Sequence, residues 1–197
     1  MMDTYTYKIG NSLYVNLTNR CTNRCTFCVR DGKTEYEGYS LWLKGSEPTA
    51  EQIVSQIGDA QRYDEIVFCG FGEPTFRLEP MLEICAFVHA AGGKTRLNTN
   101  GHGNVINGRN IAPLLADNLD TVNISLNAPC AAEYDSVCRP QIENAFEAVL
   151  QFARDCKQSG VNALFSVVDC IGRVAVERCR RIADEAGIPL RVREMIE

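Results

Sequence analysis

Leu13-Tyr14-Val15-Asn16-Leu17-Thr18-Asn19-Arg20-Cys21-Thr22-Asn23-Arg24-Cys25-Thr26-Phe27-Cys28 joins two signals in one stretch. From Leu13 to Leu17 apolar and polar residues alternate, the period-2 pattern of a half-buried strand. That strand runs directly into a loop carrying three cysteines at spacings of four and three. One loop can set these thiolates at three corners of an iron-sulfur cube, and soft thiolates suit such a cluster. The fourth iron then has no ligand from the loop. An open coordination position marks a metal that does chemistry rather than one that only holds structure, by the logic established for zinc. Spacing alone leaves two alternatives open: a structural zinc site, and a four-cysteine electron carrier whose last ligand comes from elsewhere.

Strand and helix signals alternate along the rest of the chain. Thr49 and Glu51 open a helix behind Pro48, and a strand over 65–71 ends in the turn residues Gly72-Glu73-Pro74. An apolar helix over 78–91 is closed by Gly92-Gly93, and a strand follows at 94–100. A looser helical region at 111–116 precedes a strand at 121–127, then a short helix near Glu133 and a longer one over 143–158 closed by Gly160. The last unit is a strand at 163–169, a helix at 174–186 closed by Gly187, and a strand at 190–194.

Each connection is too long for a hairpin and carries helical periodicity, so the strands are predicted to run parallel. Four of them bear a polar stripe on one face: Tyr14, Asn16 and Thr18; Arg96, Asn98 and Asn100; Asn123, Ser125 and Asn127; Arg191 and Arg193. Parallel strands buried on both faces read as unbroken apolar runs, so these stripes predict a concave wet face. The expected fold is therefore α/β, a partial (β/α)6 barrel of parallel strands, with residues 1–197 forming a single domain. Ligands in such folds gather at the C-terminal ends of the strands, where the cysteine loop and Gly72-Glu73-Pro74 both fall.

The chain has 197 residues, 45% hydrophobic and 23% charged, which is the composition of a globular protein and not of a disordered one. A net charge of −5 argues against a protein that coats nucleic acid. No run approaches the ~18 apolar residues of a membrane span, and the first twenty residues have no apolar targeting core, so a cytoplasmic protein with no membrane partner is expected. Ten cysteines are many for that compartment, where thiols stay reduced, and they point to metal or redox chemistry. The seven outside the loop are scattered singly, and most of them read as packing. Cys69, Cys130 and Cys170 are the ones near strand ends.

With the cysteine loop, Gly70-Phe71-Gly72-Glu73-Pro74-Thr75, Asn98-Thr99-Asn100-Gly101 and Ser125-Leu126-Asn127 in order, the chain resembles the radical S-adenosylmethionine superfamily. That resemblance implies a 4Fe-4S cluster on Cys21, Cys25 and Cys28, with the free iron chelated by S-adenosylmethionine. It implies reductive cleavage of that cofactor to a 5′-deoxyadenosyl radical, which abstracts a substrate hydrogen. Cofactor contacts are implied for Phe27, Gly72, Glu73, Pro74, Asn98, Asn100, Ser125, Asn127 and Arg139. Glu73 is the residue expected to accept a charge-assisted hydrogen bond from an ammonium. Phe71 stands where the family often has a glycine, and the family's fifth-strand GxIxGxxE pattern is absent.

Within the superfamily the phrases look most like the small TatD-associated radical SAM proteins, which implies a TatD-family hydrolase as a partner. Glycyl-radical-enzyme activases and 7-carboxy-7-deazaguanine synthases are similar in size and loop. The catalytic residue and the substrate do not follow from the motifs. A low-potential electron donor, a flavodoxin or ferredoxin, is expected to dock on Arg20, Arg24, Arg30 and Lys33. Six units leave a barrel open, since full closure takes about 250 residues. The missing wall is expected from a macromolecular substrate, a homodimer, or the 35–47 segment with Trp42 as its apolar anchor. The rival reading from another class is a non-catalytic iron-sulfur or zinc-binding protein.

Overall fold

In the computed structural model, residues 3–30 and 32–195 are described. The expected domain of 1–197 therefore includes Met1, Met2, Asp31, Ile196 and Glu197, which lie outside the described residues. The chain opens with a hairpin, β1 (Thr6–Ile9) and β2 (Ser12–Val15), turned through Gly10 and Asn11. A second, two-residue hairpin joins β3 (Glu35–Tyr36) to β4 (Tyr39–Ser40). Alternating units follow: α1 (Ala50–Ile57), β5 (Ile66–Phe68), α2 (Leu78–Ala90), β6 (Thr95–Thr99), α3 (Gly103–Asn107), α4 (Ala112–Asn118) and β7 (Thr121–Ser125). Then come α5 (Ala131–Cys138), α6 (Ala145–Gln158), β8 (Ala163–Val168), α7 (Arg173–Ala186) and β9 (Leu190–Arg193).

The main sheet has the order β1-β2-β5-β6-β7-β8-β9. All its pairs are parallel except β1 with β2. The six expected parallel strands are therefore present in their expected order, the α/β partial barrel read from the sequence. An antiparallel edge strand, β1, is added beside the first of them. Helix ends follow their signals: Thr49 and Gln52 form a reciprocal capping box at α1, and Gly187 closes α7 in the left-handed conformation.

Register places the polar stripes on one side of the sheet. Tyr14 is opposite Val67, Val67 opposite Arg96, Asn98 opposite Asn123, Ser125 opposite Ser166, and Ser166 opposite Arg191. Because side chains alternate along a strand, these residues line a common concave face, and Leu13, Val15, Ile66, Phe68, Leu97, Val122, Ile124, Phe165 and Val167 pack against the helices on the other. The lumen is polar and the outer layer is the core. Across the lumen floor Arg96 donates to both oxygens of Glu65 at 2.6–3.1 Å and to Asn98 Oδ1 at 2.7 Å. Asn123 Nδ2 donates to the same Asn98 oxygen at 3.2 Å.

Candidate active site

The cysteine loop leaves β2 and is held by the far half of the chain. Arg24 N donates to the Cys138 carbonyl (2.9 Å), Thr26 N to the Val137 carbonyl (2.8 Å), and Gln141 N to the Thr22 carbonyl (2.7 Å). The end of α5 is thus the backing of the loop. Arg30 folds inward, giving hydrogen bonds to the carbonyls of Asn19 and Phe71 (2.8 Å each) and Asn23 (3.2 Å). Gly70 and Gly72 bring the next loop against it: a Cβ at either position would overlap Asn16 or the Thr18 and Arg20 carbonyls.

Cys21, Cys25, Cys28, Phe27, Asn100, Ser125 and Asn127 line one cavity of about 190 Å³, together with Asn23, Val29, Val168 and Arg193 to Met195. Arg139 lies on the adjoining cavity of about 530 Å³, which the same three cysteines share with Arg24 and Trp42. Gly72, Glu73, Pro74 and Asn98 line neither. A larger cavity of about 620 Å³ at the start of α6 holds no thiol.

Glu73 is tied into the chain around it. Its side chain, 2% exposed, accepts from Thr75 N (3.1 Å), Thr75 Oγ1 (2.8 Å), Thr99 Oγ1 (2.8 Å) and Asn100 N (2.7 Å). Three of these donors converge on Oε1, and Oε2 takes Asn100 N alone, which leaves one of the carboxylate's roughly four lone-pair positions open. Burial pushes the Glu73 carboxyl upward against these four donors. The residue clips the β5 loop to the end of β6 and so places Asn100, whose amide donates to Thr22 Oγ1 at 2.8 Å and reaches Cys21 Sγ at 3.7 Å.

His102 completes this clip and has no signal in the sequence beyond an Asn-Gly turn. Its Nε2 lies 3.1 Å from the Ala145 carbonyl, which can only accept, so Nε2 carries the proton. Nδ1 then accepts from the Thr22 hydroxyl at 2.8 Å. Burial drives the imidazole down to about 4, so it is neutral near pH 7.

Cys138 was expected to be packing only, and it is wholly buried. It nonetheless neighbours the loop: its thiol perturbs that of Cys25, and it accepts from Asn127 Nδ2 at 3.6 Å. Contact with Cys138, followed by burial, pushes the Cys25 thiol upward, while burial and then Glu73 push Cys21 to about 11. Cys69, Cys130 and Cys170 do sit just past β5, at the start of α5 and just past β8. Among the described residues no three His, Cys, Asp or Glu side chains gather as a single ion would require. A cube gives each thiolate its own iron, so its ligands stand further apart than those of one zinc ion.

The expected cover is partly built. Leu41 and Leu43 are the buried anchors of the 35–47 segment, and Trp42 between them is 40% exposed and faces the cysteine cavity. Asn19 holds Leu43 from both sides, donating to its carbonyl at 2.7 Å and accepting from its N–H at 3.1 Å. Glu47 accepts from Arg20 (2.9 and 3.0 Å), Arg77 (2.8 Å) and Thr18. With Arg20 paired to Glu47 and Arg30 turned inward, Arg24 and Lys33 are the exposed cations left of the four expected to meet an electron donor.

A half-barrel of parallel strands, with a three-thiol loop after the first of them and a cavity at their C-terminal ends, is the architecture of a cluster-bearing α/β enzyme. The chain belongs to the Radical SAM superfamily, whose model matches residues 15–186. The family's cofactors are a 4Fe-4S cluster and S-adenosylmethionine. The chain is 26% identical over 162 residues to a probable GTP 3',8-cyclase of Methanocella arvoryzae, covering 76% of this chain and 45% of that protein. It is 34% identical over 132 residues to the GTP 3',8-cyclase of Streptomyces coelicolor, covering 64% and 36%. The chain spans less than half the length of these curated relatives. In fold it matches native anSMEcpe with bound AdoMet at a TM-score of 0.67 and 16% identity, over 93% of this chain and 51% of that one. Among the described residues no helix is long and apolar enough to cross a membrane.

Proposed function

We propose that this chain is a radical SAM oxidoreductase or activase in which Cys21, Cys25 and Cys28 hold the 4Fe-4S cluster and residues 1–197 act as one domain. One observation carries the reading: the three thiols share a single cavity with Phe27, Asn100, Ser125 and Asn127 at the C-terminal ends of the strands. The residues fit the absent group. Soft thiolates suit iron, and two buried acceptors beside them, Asn23 Oδ1 and Asn127 Oδ1, have no partner among the described residues. When bound, the reduced cluster supplies the electron that splits S-adenosylmethionine into methionine and a 5′-deoxyadenosyl radical, for hydrogen abstraction from a substrate.

The chain's own residues divide the remaining work. Asn23 and Asn127 offer their oxygens to amino or hydroxyl donors of the cofactor, and Phe27 offers a ring face. Arg139 reaches the same thiols from the adjoining cavity. Glu73, Thr99 and Asn100 fix the loop geometry, and Glu73 Oε2, which takes one donor from the chain, can still accept from the ammonium of the cofactor. Pro74, Gly72 and Asn98 act in the same supporting way, through backbone approach and the lumen floor. Trp42 excludes water from the mouth of the cavity. A low-potential donor meets Arg24 and Lys33.

Within the superfamily we keep the TatD-associated subgroup, on the phrases NLTNRCTNRCTFC and ISLNAP, with a TatD-family hydrolase as partner and a macromolecular substrate or second copy closing the open side. The GTP chemistry of the curated relatives stays with those longer proteins.

The test is anaerobic reconstitution with iron and sulfide, then reduction with S-adenosylmethionine present. Formation of 5′-deoxyadenosine, lost in each of Cys21→Ser, Cys25→Ser and Cys28→Ser, is expected. A stable zinc protein that takes up no iron would refute the reading.

A further inference from the structure

We propose that the lumen carries an anion-binding subsite centred on Arg193, which receives a carboxylate or phosphate of the substrate. Arg193 ends β9 and lies on the wall of the cysteine cavity. The residue is half-buried, its Nε fully so, and among the described residues Nε has no hydrogen-bond partner and the guanidinium takes part in no ion pair. A buried cation without a partner costs several kcal/mol in principle, so proteins pair such groups or reserve them for a ligand.

The surroundings make the charge harder to hold. Arg193 is felt by Cys69 from β5, Tyr14 from β2, Arg96 from β6 and Arg191 from its own strand. Burial holds its pKa below the usual guanidinium value; Cys69 and Tyr14 act against that, and Arg191 and Arg96 add to it. Of the three arginines only Arg96 has a carboxylate, Glu65, which it binds with Nε and one terminal nitrogen. Glu194 also lines the cavity but makes no ion pair with Arg193. Among the described residues, exposed Arg191 and half-buried Arg193 therefore have no carboxylate partner, beside Arg96, which has one. A planar fork with open donors is suited to a bidentate oxyanion.

Two sources of that oxyanion are chemically alike: the substrate, and the carboxylate of S-adenosylmethionine. The groups around the guanidinium decide for the substrate. Arg193 lines the cysteine cavity, while Cys69, Tyr14 and Arg96 around it belong to the lumen side of the β2, β5 and β6 units and not to the cysteine loop, so the subsite is at the lumen edge of that cavity. This inference rests on the radical SAM reading, which places the substrate in that lumen.

The probe is thermal unfolding of the anaerobically reconstituted chain in potassium phosphate or potassium acetate, each against potassium chloride at equal ionic strength so that screening is constant. An anion-specific rise in melting temperature is expected for the natural protein, persisting with saturating S-adenosylmethionine. Arg193→Met should lose it, with affinity at least about tenfold weaker, yet melt at the same or a higher temperature in chloride alone, because an unpaired buried charge is gone. If that variant does not fold, Arg193→Lys keeps the charge without the fork and should bind several-fold more weakly. No anion-specific rise, an equal rise in the variants, or a rise abolished by S-adenosylmethionine would each overturn the subsite. Formation of 5′-deoxyadenosine is read in the same samples. Its absence with the anion effect intact would count against the radical reading alone.

Discussion

The two walls of the lumen are built on opposite terms. On the β5–β6 side the polar groups near the thiols bond to one another: Glu73 to Thr75, Thr99 and Asn100, Asn100 to Thr22, Thr22 to His102, and His102 to Ala145. Of the six buried side-chain atoms with no partner among the described residues, four, Asn123 Oδ1, Asn127 Oδ1, Ser166 Oγ and Arg193 Nε, are on the β7–β9 side, while Asn23 Oδ1 is in the cysteine loop and Arg77 Nε follows β5. Satisfied networks are rigid and unpaired buried groups are costly, so the first wall reads as prebuilt scaffold and the second as a surface that awaits its ligands. Removing a group should hurt stability on the first wall and ligand binding on the second.

The largest effect is expected at Glu73. Glu73→Ala leaves four buried donors without an acceptor and should cost about 3–4 kcal/mol in urea unfolding of the unloaded chain. An effect under ~1 kcal/mol would mean that the clip is not what holds the β5 loop. Next is the acid side of the stability profile. His102 has its folded pKa, about 4, below the ordinary 6.5, so as pH falls the unfolded chain takes up the proton first. Its contribution is complete above pH 7 and is lost between about 6.5 and about 4, on the order of 3 kcal/mol in all. His102→Gln should flatten the profile in that window, and an unchanged slope would remove the imidazole from the account.

Cys138 lies at the seam between the walls, beside Cys25 on one side and bonded to Asn127 on the other. Hydrogen bonds to cluster sulfurs raise the reduction potential, so Cys138→Ala should lower the midpoint by tens of mV, with Cys138→Ser closer to the natural protein. Potentiometry followed by electron paramagnetic resonance reads this directly. The smallest effect compares one hydroxyl from each wall. Thr99→Ala should cost about 1–2 kcal/mol, while Ser166→Ala should stay within about 0.5 kcal/mol of the natural stability. Equal costs would erase the distinction between the walls.

The parallel sheet was legible because its signals are local. Alternating polar and apolar residues name the inner face strand by strand, and glycines mark the helix ends. The β1–β2 hairpin was overlooked because Thr6 to Ile9 is short and polar, although Gly10-Asn11 is a known hairpin turn dipeptide. At the site, the motif residues at strand ends could be read as a set, and Phe27, Asn100, Ser125 and Asn127 do reach one cavity with the cysteines. What each one touches could not be read. Thr22 and His102 are 80 residues apart, and Asn23 and Tyr134 are 111 apart. No pattern in either segment names the other. The Glu73 carboxylate could be read as a motif residue, but only the packing around it shows that it also ties Thr75, Thr99 and Asn100 together.

The backing of the cysteine loop also sets an order of events during synthesis. Thr26 depends on a carbonyl at Val137, and Thr22 offers its own to Gln141. At about 5–20 residues per second, a ribosome that has made Cys28 needs several seconds more, roughly 6–23, to reach the residues that hold the loop in shape. Throughout that interval the three thiols belong to a nascent chain with no mould behind them. On the proposed reading, a cluster should therefore assemble only after α5 has been made, and a chain truncated before Ala131 should retain no cluster on reconstitution.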